Sequence, residues 1–387
     1  MSGSYHEEQR RRMILKLRDL LLELPDFCFE YFRGIEPVTA ERTRLGYAYD
    51  LKIFFHFLIE NKENLQEKTL KDLTLEDLDQ VDVQDLERFL EYLTIYEKKN
   101  TDGSLVELQN GEKGKARKVA AIRSLFKYFY KKQKIRGNPT TLIDTPKIHE
   151  KNIIRLEVDE IAKLLDEVDS GDQLTSRQKI YHKYTHARDL ALMTVLLGTG
   201  MRVSELAGLD VTDVDFNNQT FRVIRKGGNE AYIYFGDDIR DALSYYLGYP
   251  DGSSDVDSNT DTAGSDNENA ANLAQAPRSL LLKEDNPDEP ALFLSLRGNR
   301  MAVRSIEVMV KKYCTMINTN KRITPHKLRS TYGTALYRET GDIYLVAEVL
   351  GHKDVNTTKK HYAQMNNENK RRAANIVQLK KDRDADV

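Results

Sequence analysis

The 387-residue chain has no tryptophan and only two cysteines, Cys28 and Cys314. Two thiols so far apart in sequence make neither a disulfide framework nor a metal-ligand pattern, so both are expected to be reduced and buried. Long apolar runs are absent too. None approaches the ~20 residues that a membrane-spanning helix requires, and membrane insertion is not expected. The N-terminal residues include Glu7, Glu8, Arg10, Arg11 and Arg12, with no apolar stretch leading to a small-residue cleavage site. That argues against a secretory signal and for a cytoplasmic protein. An excess of one charge is also missing, since the formal net charge is −2.

The near-neutral sum hides an uneven distribution. Between Asp251 and Pro277 lie Asp251, Asp255, Asp257, Asp261, Asp266 and Glu268, with no lysine or arginine among small and polar residues. Such a stretch cannot bury a core, so 249–290 is expected to be an acidic, disordered insertion. The remainder is net positive. Its densest part holds Lys113, Lys115, Arg117, Lys118, Arg123, Lys127, Lys131, Lys132, Lys134 and Arg136, interleaved with Leu125, Phe126, Tyr128, Phe129 and Tyr130. A helix that packs these aromatics inward turns a basic face outward, to phosphates or simply to water.

Helix signals divide the chain. An amphipathic stretch from Gln9 to Leu24 stops at Pro25, and a second from Thr39 to Ile59 takes Thr39 as N-cap and shows Thr43, Arg44 and Tyr47 on its polar face. A third, Val83 to Tyr96, places Leu86, Phe89, Leu90 and Leu93 at helical spacing, and the basic helix follows. After Asn138-Pro139 the chain reads as extended through Pro146 and Lys147 to Arg155. The expected organisation is an N-terminal helical extension (1–35), a helical bundle (36–140), a linker (141–155), an α+β domain (156–368) and a tail (369–387). Overall the fold class is mainly α with a small β-sheet.

The second half carries the chemistry. Arg202 lies in Gly-Thr-Gly-Met-Arg-Val-Ser-Glu-Leu, Lys226 in Arg-Lys-Gly-Gly-Asn, and His326 and Arg329 in Thr-Pro-His-Lys-Leu-Arg. His352 follows Leu-Gly, and Tyr362 ends Thr-Thr-Lys-Lys-His-Tyr. Two arginines can hold the non-bridging oxygens of a phosphodiester through charge-assisted hydrogen bonds, while histidines and a lysine move protons on and off the bridging oxygens. A nearby tyrosine then serves as nucleophile on phosphorus, and no metal or other cofactor is called for. Glu205, three residues after Arg202, can orient its guanidinium, although an Arg-x-x-Glu pair is more often a surface ion pair of little worth. Lys226 sits in turn chemistry between two alternating runs, Thr220 to Arg225 and Glu230 to Phe235, where a lysine usually protects a sheet edge. Thr324 and Pro325 start a helix that brings His326 and Arg329 to its N-terminus. Gly351 ends a helix from Ile343 to Leu350, which leaves His352 at a corner, and Asn356-Thr357-Thr358 caps the helix bearing Tyr362.

In order and spacing these residues resemble the tyrosine recombinase (phage integrase) family, within it the Xer type and most closely the single-protein Xer recombinases. The likeness extends to Ala187-Arg188-Asp189-Leu190 through Leu209, and to Ala291-Leu292-Phe293-Leu294-Ser295, similar to a family strand and turn. The resemblance implies a core-binding (SAM-like) helical domain and a catalytic domain in a C-shaped clamp around DNA. It implies Arg202, Lys226, His326, Arg329, His352 and Tyr362 as catalytic residues, with Lys226 as general acid, and Glu205 in support. Thr43, Arg44, Tyr47, Lys115, Arg117, Lys118, Arg123 and Lys127 become DNA-binding candidates. The implied partners are a double-stranded recombination site, three further copies in a homotetramer coupled through residues 369–387, and a septal DNA translocase of the FtsK kind. The implied activity is site-specific strand exchange through a 3′-phosphotyrosine, resolving chromosome dimers at a dif-like site. Two departures from the commoner pattern stand out: Glu230 and Ala231 follow the turn where further basic residues are usual, and the interval from His352 to Tyr362 is one residue longer.

Three other readings fit parts of the pattern. An integrase of a mobile element uses the same chemistry, a type IB topoisomerase shares much of the site without partner-strand exchange, and an architectural DNA-binding protein would keep the basic surface without catalysis.

Overall fold

The structure is a computed structural model that describes residues 5–99, 103–145, 154–225, 228–249, 276–317, 319, 321–352 and 354–362. The chain divides into two compact units, 1–151 and 152–387. Each has its own hydrophobic core.

The first unit is built on helices α1 (Tyr5–Leu21), α2 (Phe27–Ile35), α3 (Glu41–Asn61), α4 (Leu75–Asp79), α5 (Val83–Tyr92) and α6 (Glu112–Lys131). Helix α3 buries Leu51, Phe54, Phe55 and Leu58, and α6 meets it with Val119, Ile122, Leu125, Phe126 and Phe129, all at i, i+3, i+4 spacing. Phe27 joins the two by edge-on contacts with Phe55 and Phe129. Helices α1 and α2 are therefore part of this core: Leu17, Leu20, Cys28, Tyr31 and Phe32 are all buried in it.

Local details differ from the sequence reading in two places. Thr39 does not cap α3. Its hydroxyl donates to the Ile35 carbonyl at 2.6 Å, and Ala40 holds the extended N-cap position. The helix expected to reach Tyr96 ends at Tyr92, because β-branched Thr94 and Ile95 lead into a strand. That strand, β1 (Ile95–Lys99), pairs antiparallel with β2 (Leu105–Gln109), and Asn110 returns a backbone bond to Leu93 at 3.2 Å.

In the second unit, α7 (Val158–Ser170) and α8 (Ser176–Thr199) each end on a glycine with positive φ, Gly171 and Gly200. Then come α9 (Val203–Gly208), an antiparallel sheet of β3 (Val214–Asp215), β4 (Thr220–Ile224) and β5 (Glu230–Tyr234) in that order, and α10 (Asp237–Leu247). Helices α11 (Val303–Met316), α12 (Pro325–Thr340), α13 (Ile343–Val349) and α14 (Val355–Tyr362) complete the unit. Thr220 pairs with Tyr234 and Ile224 with Glu230, so the hairpin expected from the sequence forms in register.

The segment Ala291–Ser295 is not a strand. It makes isolated bridges, Asp210 to Ala291 and Leu294 to Arg300, and is fixed through side chains. Arg188 on α8 donates to the Leu294 carbonyl at 2.7 Å, while its own partner Asp189 accepts from the Tyr313 hydroxyl on α11 at 3.0 Å. All three side chains are buried, so this network locks α8 to its neighbours.

The expected insertion 249–290 is narrower than its bounds. Residues 276–290 are ordered: Leu281 is buried, and Arg278 donates to the Glu289 carbonyl at 2.6 Å and the Ala291 carbonyl at 2.8 Å. Residues 250–275 lie outside the described residues, as does the tail 369–387. Most of the expected linker lies outside them as well. Its flanks belong to the two cores, with Ile143 buried in the first and Leu156 in the second.

Candidate active site

The site starts at the end of α8. Gly200 adopts φ +61°, a conformation that suits glycine and turns the chain sharply into Arg202. Arg202 is extended and occupies the N-cap of α9, not the helix itself. Glu205, buried beneath it, accepts from the Arg202 backbone N–H at 2.9 Å and from its Nη1 at 2.7 Å. One carboxylate thus caps the helix and orients the guanidinium, whose side chain keeps 36% of its surface open to solvent.

Arg329 comes from the first turns of α12, where Thr324 is the N-cap and Pro325 the first helical residue. Its Nη1 donates to the Gly200 carbonyl at 2.7 Å and its Nη2 to the Leu350 carbonyl. The side chain is buried. His326, one turn earlier, is exposed at the same helix end.

The third component is the corner after α13. Gly351 takes φ +61°, the Gly351 N–H donates to the Glu348 carbonyl at 2.8 Å, and the His352 N–H donates to the Ala347 carbonyl at 2.8 Å. This closes the helix in the glycine-terminated manner expected from the sequence. Three successive carbonyls at this end each accept from a different arginine: Val349 from Arg225 at 3.3 Å, Leu350 from Arg329, and Gly351 from Arg202 at 3.1 Å. The partial negative charge of a helix C-terminus offsets the mutual repulsion of three clustered cations.

Helix α14 begins at Val355, ahead of the expected cap. Asp354 accepts from the Asn356 N–H at 2.9 Å, and Thr358 is left inside the helix, fully buried. There the Thr358 hydroxyl lies 2.7 Å from His352 Nδ1. The contact ties the corner to the helix whose last residue, one turn beyond Thr358, is Tyr362. The structure therefore assembles Arg202, Glu205, Arg329 and His352, with His326 at the adjoining helix end and the backbone of Tyr362 close in sequence to Thr358. Lys226 falls outside the described residues, although the base of its turn is defined: the Arg225 N–H donates to the Asn229 carbonyl at 2.8 Å.

Sequence reasoning missed Arg225 and Thr358. Arg225 had a signal in its place immediately before Lys226, and Thr358 stands four residues before Tyr362, on the same helical face. Among the described residues no group of three or more His, Cys, Asp or Glu side chains is placed to hold a metal ion. No described helix is long and apolar enough to cross a membrane.

The DNA-binding candidates of the first unit separate by environment. Arg44 is buried and paired with Glu36 at 2.8 Å. Lys118 is also buried, donating to Asn110 at 2.9 Å, and lies 3.9 Å from Asp50. Both point into the fold, a correction to the expected all-outward basic face. Burial pushes the Asp50 carboxyl up to about 6 against the opposing pull of Arg117 and Lys118. Arg117 pairs with Asp50 at 2.7 Å yet remains half exposed. Arg123 donates to the Thr140 and Ile143 carbonyls at 3.2 and 2.6 Å and so pins the end of the unit. Lys115 donates to Thr94 at 2.6 Å, Thr43 and Tyr47 are half-buried, and Lys127 is exposed.

The chain is similar to known proteins. The family model described as phage integrase matches residues 155–369. A tyrosine recombinase XerC of Caldanaerobacter subterraneus subsp. tengcongensis is 30% identical over 87% of this chain and 83% of its own length. A tyrosine recombinase XerD of Staphylococcus epidermidis is 29% identical over 85% of this chain and 90% of its own. Among solved structures, the XerH site-specific recombinase in a post-cleavage complex with a palindromic difH substrate shares the fold, with a TM-score of 0.55 at 18% identity over 95% of this chain and 94% of that one. The chain belongs to the phage integrase family and is a site-specific DNA recombinase of the Xer tyrosine type.

The Arg202–Glu205 pair yields a direct prediction. Glu205→Gln keeps one acceptor but removes the buried negative charge that holds the guanidinium. Strand cleavage should fall by about 10- to 100-fold, the range of lost second-layer support in built sites, with DNA affinity little changed. Single-turnover adduct formation at saturating enzyme checks this, and an unchanged rate would remove Glu205 from the site.

Proposed function

We propose that the chain resolves chromosome dimers by cutting and rejoining a dif-like site as a tetramer, in a single-protein Xer system of the kind called XerS. The supporting observation is the convergence of Arg202 and Arg329 on the Gly351 and Leu350 carbonyls, just ahead of His352 and about ten residues before the tyrosine. In this reading Arg202, Arg329, His326 and His352 stabilise the charge that develops on the scissile phosphate. The Tyr362 oxygen bonds to phosphorus, its proton passing to His326, as the bond to the 5′ oxygen breaks and Lys226 protonates that oxygen. The 3′-phosphotyrosine retains the bond energy. A partner strand's 5′ hydroxyl then attacks the phosphotyrosine and releases Tyr362, and two such rounds pass through a Holliday junction without ATP.

In this reading the exposed Arg117 and Lys127 and the partly buried Lys115 contact DNA phosphates. Residues 369–387 would pass to a neighbouring protomer, and a septal translocase of the FtsK kind would deliver the paired sites. The test is to recover denaturant-resistant protein–DNA adducts from fragmented host DNA and sequence their ends. Ends at one terminus-proximal inverted repeat are expected. Ends at the borders of a mobile element would replace this reading with an integrase.

A further inference from the structure

We infer that Arg225 is a positioning residue for strand cleavage, coupling the turn that carries Lys226 to the corner that carries His352. This inference rests on the proposed role of Lys226 as general acid. Arg225 belongs to both elements at once. Its backbone closes the hairpin turn, donating to the Asn229 carbonyl at 2.8 Å and accepting from the Gly228 N–H at 3.0 Å. Its side chain leaves the sheet and donates to the Val349 carbonyl at 3.3 Å.

The fit against the corner is close. A Cβ added to Gly351 would stand 2.2 Å from Arg225 Nη1, so the guanidinium fills the space that the glycine leaves open. Arg225 Nε is buried without an acceptor among the described residues. A buried unpaired donor is costly, and a purely structural side chain at a hairpin end would avoid that cost by turning to solvent. Among the described residues, no other hydrogen bond joins the 225–229 turn to α13. Removing it frees the lysine-bearing turn to move relative to the phosphate pocket, while Arg202 and Arg329 keep their carbonyls. The specific loss is then delivery of a proton to the leaving 5′ oxygen.

Leaving-group chemistry isolates that step. A duplex carrying the recovered cleavage sequence is made with an ordinary scissile phosphate and with sulfur in place of the bridging 5′ oxygen. A thiolate leaves without protonation, so the sulfur substrate bypasses a general acid. For Arg225→Ala, cleavage of the ordinary duplex should slow by about 100-fold, at the lower end of what general acid catalysis contributes. Cleavage of the sulfur duplex should stay near the wild-type rate, and Arg225→Lys should remain as defective as alanine on the ordinary duplex because its single point charge cannot reproduce the planar fork.

Both substrates are cut by the same preparation, so the ratio of rates does not depend on the folded fraction. Equal slowing on both duplexes would overturn the inference and make Arg225 a phosphate ligand or a support of the fold. Wild-type rates on both would overturn it outright. Lys226→Ala is the control for the underlying reading: if sulfur fails to rescue that variant, the general-acid role falls, whereas rescue of Lys226→Ala without rescue of Arg225→Ala defeats only the coupling.

Discussion

Tyr362→Phe should eliminate the denaturant-resistant DNA adduct while leaving DNA affinity unchanged. The substitution deletes one oxygen and keeps the ring, and the buried Thr358 contact to His352 is made by other side chains. Two other tyrosines lie near this region and sharpen the test. Tyr332 is half-buried against Gly200, and burial pushes its phenol up, away from the nucleophilic form. Tyr344 on α13 is exposed, with Lys359 of α14 lying 5.4 Å from its ring centre. Tyr344→Phe should therefore form adduct as the wild type does. An adduct that survives Tyr362→Phe and disappears in Tyr344→Phe would move the nucleophile and force a different register for the end of the catalytic domain.

Arg329→Ala should damage both activity and stability, a double effect not expected of Arg202→Ala. Arg329 is buried and spans two elements, holding the carbonyl that ends the α8 turn and the carbonyl that ends α13. Its loss strands two buried acceptors, at about 1–3 kcal/mol each, so unfolding should shift by about 2–6 kcal/mol. Cleavage should fall by about 10²- to 10³-fold beyond the folded-fraction effect, the usual result of removing one donor from an oxyanion site. Arg202→Ala should show a comparable rate loss with a smaller stability change, because its side chain is partly solvated and its carboxylate partner continues to cap α9. Denaturant titration beside single-turnover cleavage separates the two quantities. Equal stability of the two variants would mean that the Arg329 bridge contributes little to the fold.

The legible parts of this site were those set by short-range spacing. Arg202 and Glu205 lie three apart, His326 and Arg329 lie in one helical turn after Thr-Pro, and Gly351 announces the end of α13; each follows from local geometry. The hairpin around Lys226 was legible for the same reason. What escaped were contacts decided by the tertiary fold. The carbonyl acceptors of the three arginines carry no side-chain signature, so no pattern of residue types marks them. Arg44 and Lys118 read as surface cations because their neighbours on the helix are polar, and only the packing of α3 against α6 encloses them with Glu36, Asp50 and Asn110. The β1–β2 hairpin was hidden by apolar residues that suit either a helix or a strand over so short a run. Ordering of 276–290 depends on Arg278 reaching carbonyls 11 and 13 residues away, which composition cannot show.

The use of main-chain oxygens to hold all three arginines bears on how the site withstands mutation. A carbonyl is present whatever side chain its residue carries, so exchange of Val349 for another helix former, or of buried Leu350 for another apolar residue, leaves the polar framework around the Gly351 corner in place. Selection at those two positions acts through packing alone. Gly351 has no such latitude, since a side chain there meets both a left-handed backbone and the Arg225 guanidinium. The tolerance of the helix end and the intolerance of the residue that follows it should appear side by side in a saturation library, as a sharp step between adjacent codons.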